Sequence, residues 1–86
     1  MNQQTTSASS LNARMRIAAN LKRLRTERGL SQESMAELAD FHRTYVSQLE
    51  RCVTNISIDG LERFARALEV DVVDLLAPIP EAEGER

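Results

Sequence analysis

Residues 43 to 51 read Arg-Thr-Tyr-Val-Ser-Gln-Leu-Glu-Arg, and this short run holds the side chains best suited to selective chemistry. Val46 and Leu49 stand three apart, so on a helix they turn inward and leave Arg43 and Thr44 pointing out, with Ser47 and Gln48 one turn further along. An arginine fork fits two acceptors at once, as guanine O6 and N7 present them. A glutamine amide offers the paired donor and acceptor that suits adenine. The chemistry on offer is recognition by hydrogen bonds, with Arg43 the leading candidate and simple solvation its alternative. Ser47 and Gln48 could instead touch only phosphate. Tyr45 divides equally between a core role and a contact role, its ring packed and its hydroxyl wet.

Bond-making chemistry finds no comparable set. The single histidine, His42, and the single cysteine, Cys52, have no positioned second base or nucleophile beside them, and no Gly-rich phosphate loop exists. One cysteine cannot close an intramolecular disulfide, and one His with one Cys cannot make up a structural zinc quartet. Catalysis, a resident metal and a cofactor are therefore not expected. His42 could cap the helix that follows it, with a pH switch the lesser alternative. Cys52 reads as structural before it reads as a redox sensor.

The elements that must position the Arg43 run follow from apolar spacing. Ile17, Leu21 and Leu24 define an amphipathic helix over residues 11–28, with Gly29 as its left-handed terminator. Ser31 can cap a second helix whose inner face is Met35, Leu38 and Ala39. After Asp40, Phe41 and His42, which hold no strong helix former, a third helix runs from about Arg43 to Arg51. Residues 52–56 read as a loop, and Ser57 can cap a fourth helix with Leu61, Phe64, Ala65 and Leu68 on one face. Asp71 can cap a last short helix carrying Val72, Leu75 and Leu76, ended by Pro78. No useful alternation of period two occurs, so the expected fold is all-α: a compact five-helix bundle in which the second and third helices form a helix-turn-helix.

At 86 residues there is room for one core, and so small a core benefits from self-association. The formal charge of −2 conceals an asymmetry: residues 1–57 carry eight Lys and Arg against five Asp and Glu, and residues 58–86 carry three against eight. A basic front with an acidic back can still present a positive face to phosphate, with weaker non-specific binding than a wholly basic domain. The start of the chain lacks the pattern of a signal peptide and no run approaches membrane-span length, so a cytoplasmic protein without a membrane partner is expected.

The segment Leu30 to Leu76 carries an ordered set of landmarks: Leu30-Ser31-Gln32-Glu33, Leu38-Ala39, Tyr45 through Arg51, and Leu61-x-x-Phe64-Ala65-x-Ala67-Leu68. In these it resembles the Cro and phage-repressor (XRE-like) helix-turn-helix superfamily. Within that superfamily, Phe41-His42-Arg43-Thr44-Tyr45 followed by Asn55-Ile56-Ser57 is similar to the controller proteins of bacterial restriction-modification systems.

The resemblance implies a transcriptional regulator that binds a pseudo-palindromic operator as a homodimer. It autoregulates and controls endonuclease expression, with two dimers on adjacent operators and RNA polymerase as further partners. It implies base contacts from Arg43, Thr44, Tyr45, Ser47 and Gln48, and phosphate contacts from Gln32, Arg51, Asn55 and Ser57, with capping the alternative for Asn55 and Ser57. Arg25 and Glu50 match a structural ion pair joining the first helix to the third. An apolar surface of Val72, Val73, Leu75, Leu76 and Ile79 is expected to form the dimer interface. The family usually has Gly where Cys52 stands and often where Asp40 stands, both sites where a left-handed backbone is useful. Residues 1–10 are expected to be a flexible arm, 11–77 the DNA-binding domain and 78–86 a flexible acidic tail. A phage-type or chromosomal repressor and an antitoxin-like interaction protein are the alternative readings.

Overall fold

Short polar side chains decide where four helices begin. In the computed structural model, which describes residues 12–79, the helices are α1 (Ala13–Glu27), α2 (Gln32–Ala39), α3 (Arg43–Glu50), α4 (Ile58–Leu68) and α5 (Val72–Leu76). Asn12 accepts from the Met15 N–H, Ser31 from Ser34 and Ser57 from Gly60, each at 2.9 Å. Asp71 accepts from the Val73 N–H while Asp74 reaches back to the Asp71 N–H, closing a capping box. The exception is α3. His42 occupies its cap position, but the ring is exposed and makes no capping bond, contrary to the sequence expectation. That helix is started instead by the turn before it.

The first four helices stop in the same way. After α1 the left-handed residue is Gly29 (φ 68°); after α2, α3 and α4 it is Asp40 (64°), Cys52 (63°) and Glu69 (60°). At each corner this residue's N–H returns to the carbonyl three back, and the next N–H returns five back, as in Leu30 to Arg25, Phe41 to Ala36, Val53 to Gln48 and Val70 to Ala65. These paired bonds satisfy the carbonyls a helix end leaves free. Glu69 adopts this role with no turn residue to announce it. The last helix ends at Leu76, where Ala77 is extended (ψ 150°), as a residue before proline prefers.

Packing brings one core together. Leu21 from α1, Met35 from α2, Val46 from α3, Phe64 and Leu68 from α4 and Leu75 from α5 are all fully buried. Two expectations fail here. Leu38 is 58% exposed, because the inner stripe of α2 is Met35, Ala36 and Ala39, and Leu38 lies about 100° around the helix from its centre. Leu75 belongs to this core and not to an outer dimer surface. It is drawn in because α5 lies against α1, where the buried Asn20 amide donates to the carbonyls of Leu75 (3.1 Å) and Ala77 (2.9 Å) and Arg16 donates to Leu76 (3.3 Å). The expected flexible arm lies outside the described residues, as does the tail beyond Ile79.

A left-handed backbone costs an L residue about 1 to 2 kcal/mol, and glycine gives back roughly 0.5 to 1 of that in chain entropy. Cys52→Gly should therefore stabilise the protein by about 0.5 to 1 kcal/mol in urea unfolding, on the balance of those two terms. An unchanged or lower midpoint would show that the Cys52 side chain contributes packing that outweighs its backbone strain.

Candidate nucleic-acid interface

The orientation of α3 is set from its C-terminal end. Glu50 receives Arg25 in a forked pair, Nε to Oε2 at 2.6 Å and a terminal nitrogen to Oε1 at 3.0 Å, and the other guanidinium nitrogen donates to the Leu30 carbonyl at 2.7 Å. The Gln32 amide also donates to Glu50 Oε1 at 3.0 Å. The Arg25 and Glu50 side chains are only 11% and 4% exposed. The pair is therefore well desolvated, with hydrogen bonds meeting the remaining polar atoms, the condition under which a buried pair is tolerated. It ties the end of α1, the start of α2 and the end of α3 to one point.

With Val46 and Leu49 buried, α3 shows its opposite face. Arg43 and Thr44 are exposed in its first turn, and Ser47 and Gln48 are half-buried a turn later. Arg51, exposed, ends the helix. Beyond Cys52 the loop folds back to α1: Asn55 Oδ1 accepts from the Arg14 guanidinium at 2.7 Å, and the Asn55 carbonyl accepts from the Tyr45 hydroxyl at 2.9 Å. A cleft of about 270 Å³ opens there, lined by Ala13, Arg14, Ile17, Leu49 and residues 54–56. Ser57 points its hydroxyl at the α4 terminus. Gln32 thus belongs to the Glu50 cluster, Arg51 follows Glu50 in the chain, and Asn55 and Ser57 stand in the loop and at the cap that follow α3.

Tyr45 sits between the alternatives drawn from sequence. Its ring packs on Phe41, centroids 4.9 Å apart, and its hydroxyl is engaged by the loop carbonyl. Partial burial raises the phenol above its usual value near 10, with the Arg63 charge pulling the other way. The roles of three residues near this surface escaped sequence reading. Arg14 is tied to Asn55, Phe41 is stacked on Phe64 and tilted against Tyr45, and Arg63 of α4 covers Phe41 at 3.9 Å. Nothing in local spacing links Arg63 to a turn 23 residues earlier. In and just after α5, Val73 is 65% exposed, and Val72, Leu76 and Ile79 are partly buried. Leu75, fully buried, drops out of that surface.

The Helix-turn-helix family model matches residues 21–75 of this chain. Control protein C.BamHI of Bacillus amyloliquefaciens is 38% identical over 66 residues, covering 76% of this chain and 82% of that one. The restriction-modification controller protein C.AhdI of Aeromonas hydrophila superposes with a TM-score of 0.70 at 35% identity, covering 72% of this chain and 90% of that chain. The controller protein C.Esp1396I, solved as a tetramer in complex with its natural 35 base-pair operator, superposes with a TM-score of 0.69 at 32% identity, covering 76% of this chain and 86% of that chain.

Tyr45 is the only tyrosine and there is no tryptophan, so phenolate absorbance reports one site. Its titration midpoint should lie above the ordinary value of about 10 in the folded protein and return to it in denaturant. A folded pKa raised in this way means stability present below the unfolded pKa and lost as pH rises through the folded one. A midpoint at or below the denatured value would contradict the packing described for this ring.

Proposed function

The chain belongs to the helix-turn-helix family of transcriptional regulators and is homologous to restriction-modification control proteins, and from that premise we propose how its residues work. As a homodimer it binds a pseudo-palindromic operator, each α3 lying in the major groove with half-sites about 34 Å apart. One observation carries this reading. The Arg25 and Glu50 fork fixes α3 against the core while leaving Arg43 and Thr44 exposed in its first turn.

Arg43 is the principal reader, its fork matched to guanine, and Thr44, Ser47 and Gln48 supply the other base-edge contacts. Gln32 and Arg51 hold one stretch of phosphates, and Asn55 and Ser57, at the α4 terminus, hold the next. Tyr45 supports the groove contact from behind by bracing the loop through Asn55. The Gln32 amide, steadied by Glu50, meets phosphate without searching rotamers. Val72, Val73, Leu76 and Ile79 form the two-fold surface. Residues 1–10 serve as an arm, 11–77 as the binding domain and 78–86 as an acidic tail.

The protein acts as a cytoplasmic, non-enzymatic regulator of its own gene and an adjacent endonuclease gene. Pairing of dimers on adjacent operators and contact with RNA polymerase complete the scheme. The operator-bound C.Esp1396I tetramer supports the first of these partners by homology. Among the described residues, no helix is long and apolar enough to cross a membrane.

Selection from a random DNA pool should return a two-fold symmetric motif. Arg43→Ala should then lower the preference for that duplex over a scrambled one by about 10- to 100-fold, the loss of one bidentate pair, with helical circular dichroism unchanged. Unaltered preference would remove Arg43 from the reading set. For the dimer, Val73→Asp should yield a monomer in analytical ultracentrifugation at micromolar concentration, where the parent chain sediments as a dimer. A parent chain that is itself monomeric there would overturn the two-fold surface.

A further inference from the structure

The two ends of α3 are held differently. Its C-terminus is pinned through Glu50, but its first turn, where Arg43 and Thr44 sit, has no side-chain cap. The preceding helix, α2, ends in carbonyls that have no donor within the helix. Arg63, projecting from α4, reaches two carbonyls there: its Nε–H donates to the Ala39 carbonyl at 3.1 Å and a terminal nitrogen donates to the Asp40 carbonyl. The same guanidinium lies over the Phe41 ring at 3.9 Å. Phe41 in turn stacks on Phe64, 4.8 Å between centroids and 19° between planes, and packs on Tyr45 in α3. One planar cation thus grips the two peptide groups and the aromatic side chain that lead into the recognition helix.

We propose that Arg63 is a positioning residue for DNA recognition: it fixes the turn between α2 and α3, and so aims the first turn of α3 into the groove. The inference rests on the DNA-reading assignment of α3. Its energetic contribution is not that of an ion pair. The nearest carboxylate, Asp40, is 3.9 Å away and fully exposed, where a charge pair contributes little. The contribution lies in shape. A guanidinium can donate in its own plane to two carbonyls while its face covers an aromatic ring; a lysine ammonium carries the same charge but cannot do both. With Glu50 holding one end of α3 and Arg63 holding the turn that leads into the other, the helix is constrained from both sides, and a bidentate contact from Arg43 gains the alignment it requires.

The test uses the full-length chain and the duplex that it selects from random DNA, beside a scrambled duplex at the same salt. Arg63→Lys, verified as folded by circular dichroism, should bind the selected duplex about tenfold more weakly, the size of one misaligned base contact, and the scrambled duplex as before. Phe41→Leu should produce the same selective loss, and the double variant should be no worse than either single, since both act through one turn. Wild-type selectivity in Arg63→Lys would overturn the proposal. So would an equal loss on both duplexes with a shallower salt dependence, which is the signature of a direct phosphate contact, or additive losses in the double variant. A parent chain that selects no sequence would instead bring down the DNA-reading assignment, and this inference with it.

Discussion

A single buried ion pair determines how the recognition half of the molecule is assembled. Arg25 and Glu50 are 25 residues apart, with two corners and the whole of α2 between them, yet they meet in a fork at 2.6 and 3.0 Å with almost no exposure. Removing two charges from water costs several kcal/mol for each, and attraction alone does not reliably return it. Here the remaining valences are also used. Leu30 offers a carbonyl to Arg25, and Gln32 offers an amide to Glu50. The cluster works because it is complete, and completeness requires α1, α2 and α3 to arrive at one point with the correct geometry. An apolar replacement of similar volume could match its stability but not its directionality.

The rest of the bundle holds that arrangement from the opposite side. Phe64 and Leu68 of α4 fill the space under α1 and α2, and Arg63, one residue before Phe64, crosses to the turn between α2 and α3. The last helix is short and derives its place from α1, where Asn20 takes the carbonyls that a five-residue helix cannot satisfy itself. Polar side chains therefore make the long-range joins in this small protein, while apolar side chains supply the bulk between them. That division suits a chain whose core is too small to specify helix angles by packing alone.

Most of the fold was legible in the sequence because its rules are local. Ser31, Ser57 and Asp71 cap where short polar residues precede an apolar period, and Gly29 ends α1 as its backbone freedom allows. The face of α4 was read correctly because four large or tightly spaced apolar residues repeat over two turns. α2 was harder. With two alanines and one methionine on its inner face, its strongest apolar residue, Leu38, drew the stripe to the wrong side. Leu75 was assigned to the surface because periodicity within five residues cannot say which neighbour a helix will meet. His42 had the right backbone position but the wrong chemistry for a cap. At the candidate site, the spacing of Val46 and Leu49 was enough to turn Arg43 and Thr44 outward. The supports from Arg14, Phe41 and Arg63 were not visible, since each depends on residues brought together only by the topology.

The four left-handed corners have a further consequence for how such a domain would meet a duplex. Three of them are built on residues with a Cβ, Asp40, Cys52 and Glu69, and each is closed by two backbone bonds. These bonds stiffen the corners, and at the Asp40 corner Arg63 adds a further restraint. A reader with stiffened corners would adjust the angle of its recognition helix only at an energetic cost, so much of the accommodation to an imperfect site would fall to the DNA. Base steps that twist or bend at low energy would then favour binding even where no side chain touches them, and stiff steps would oppose it. Part of the operator's information would reside in its mechanics, at positions between the half-sites that a list of side-chain contacts leaves blank.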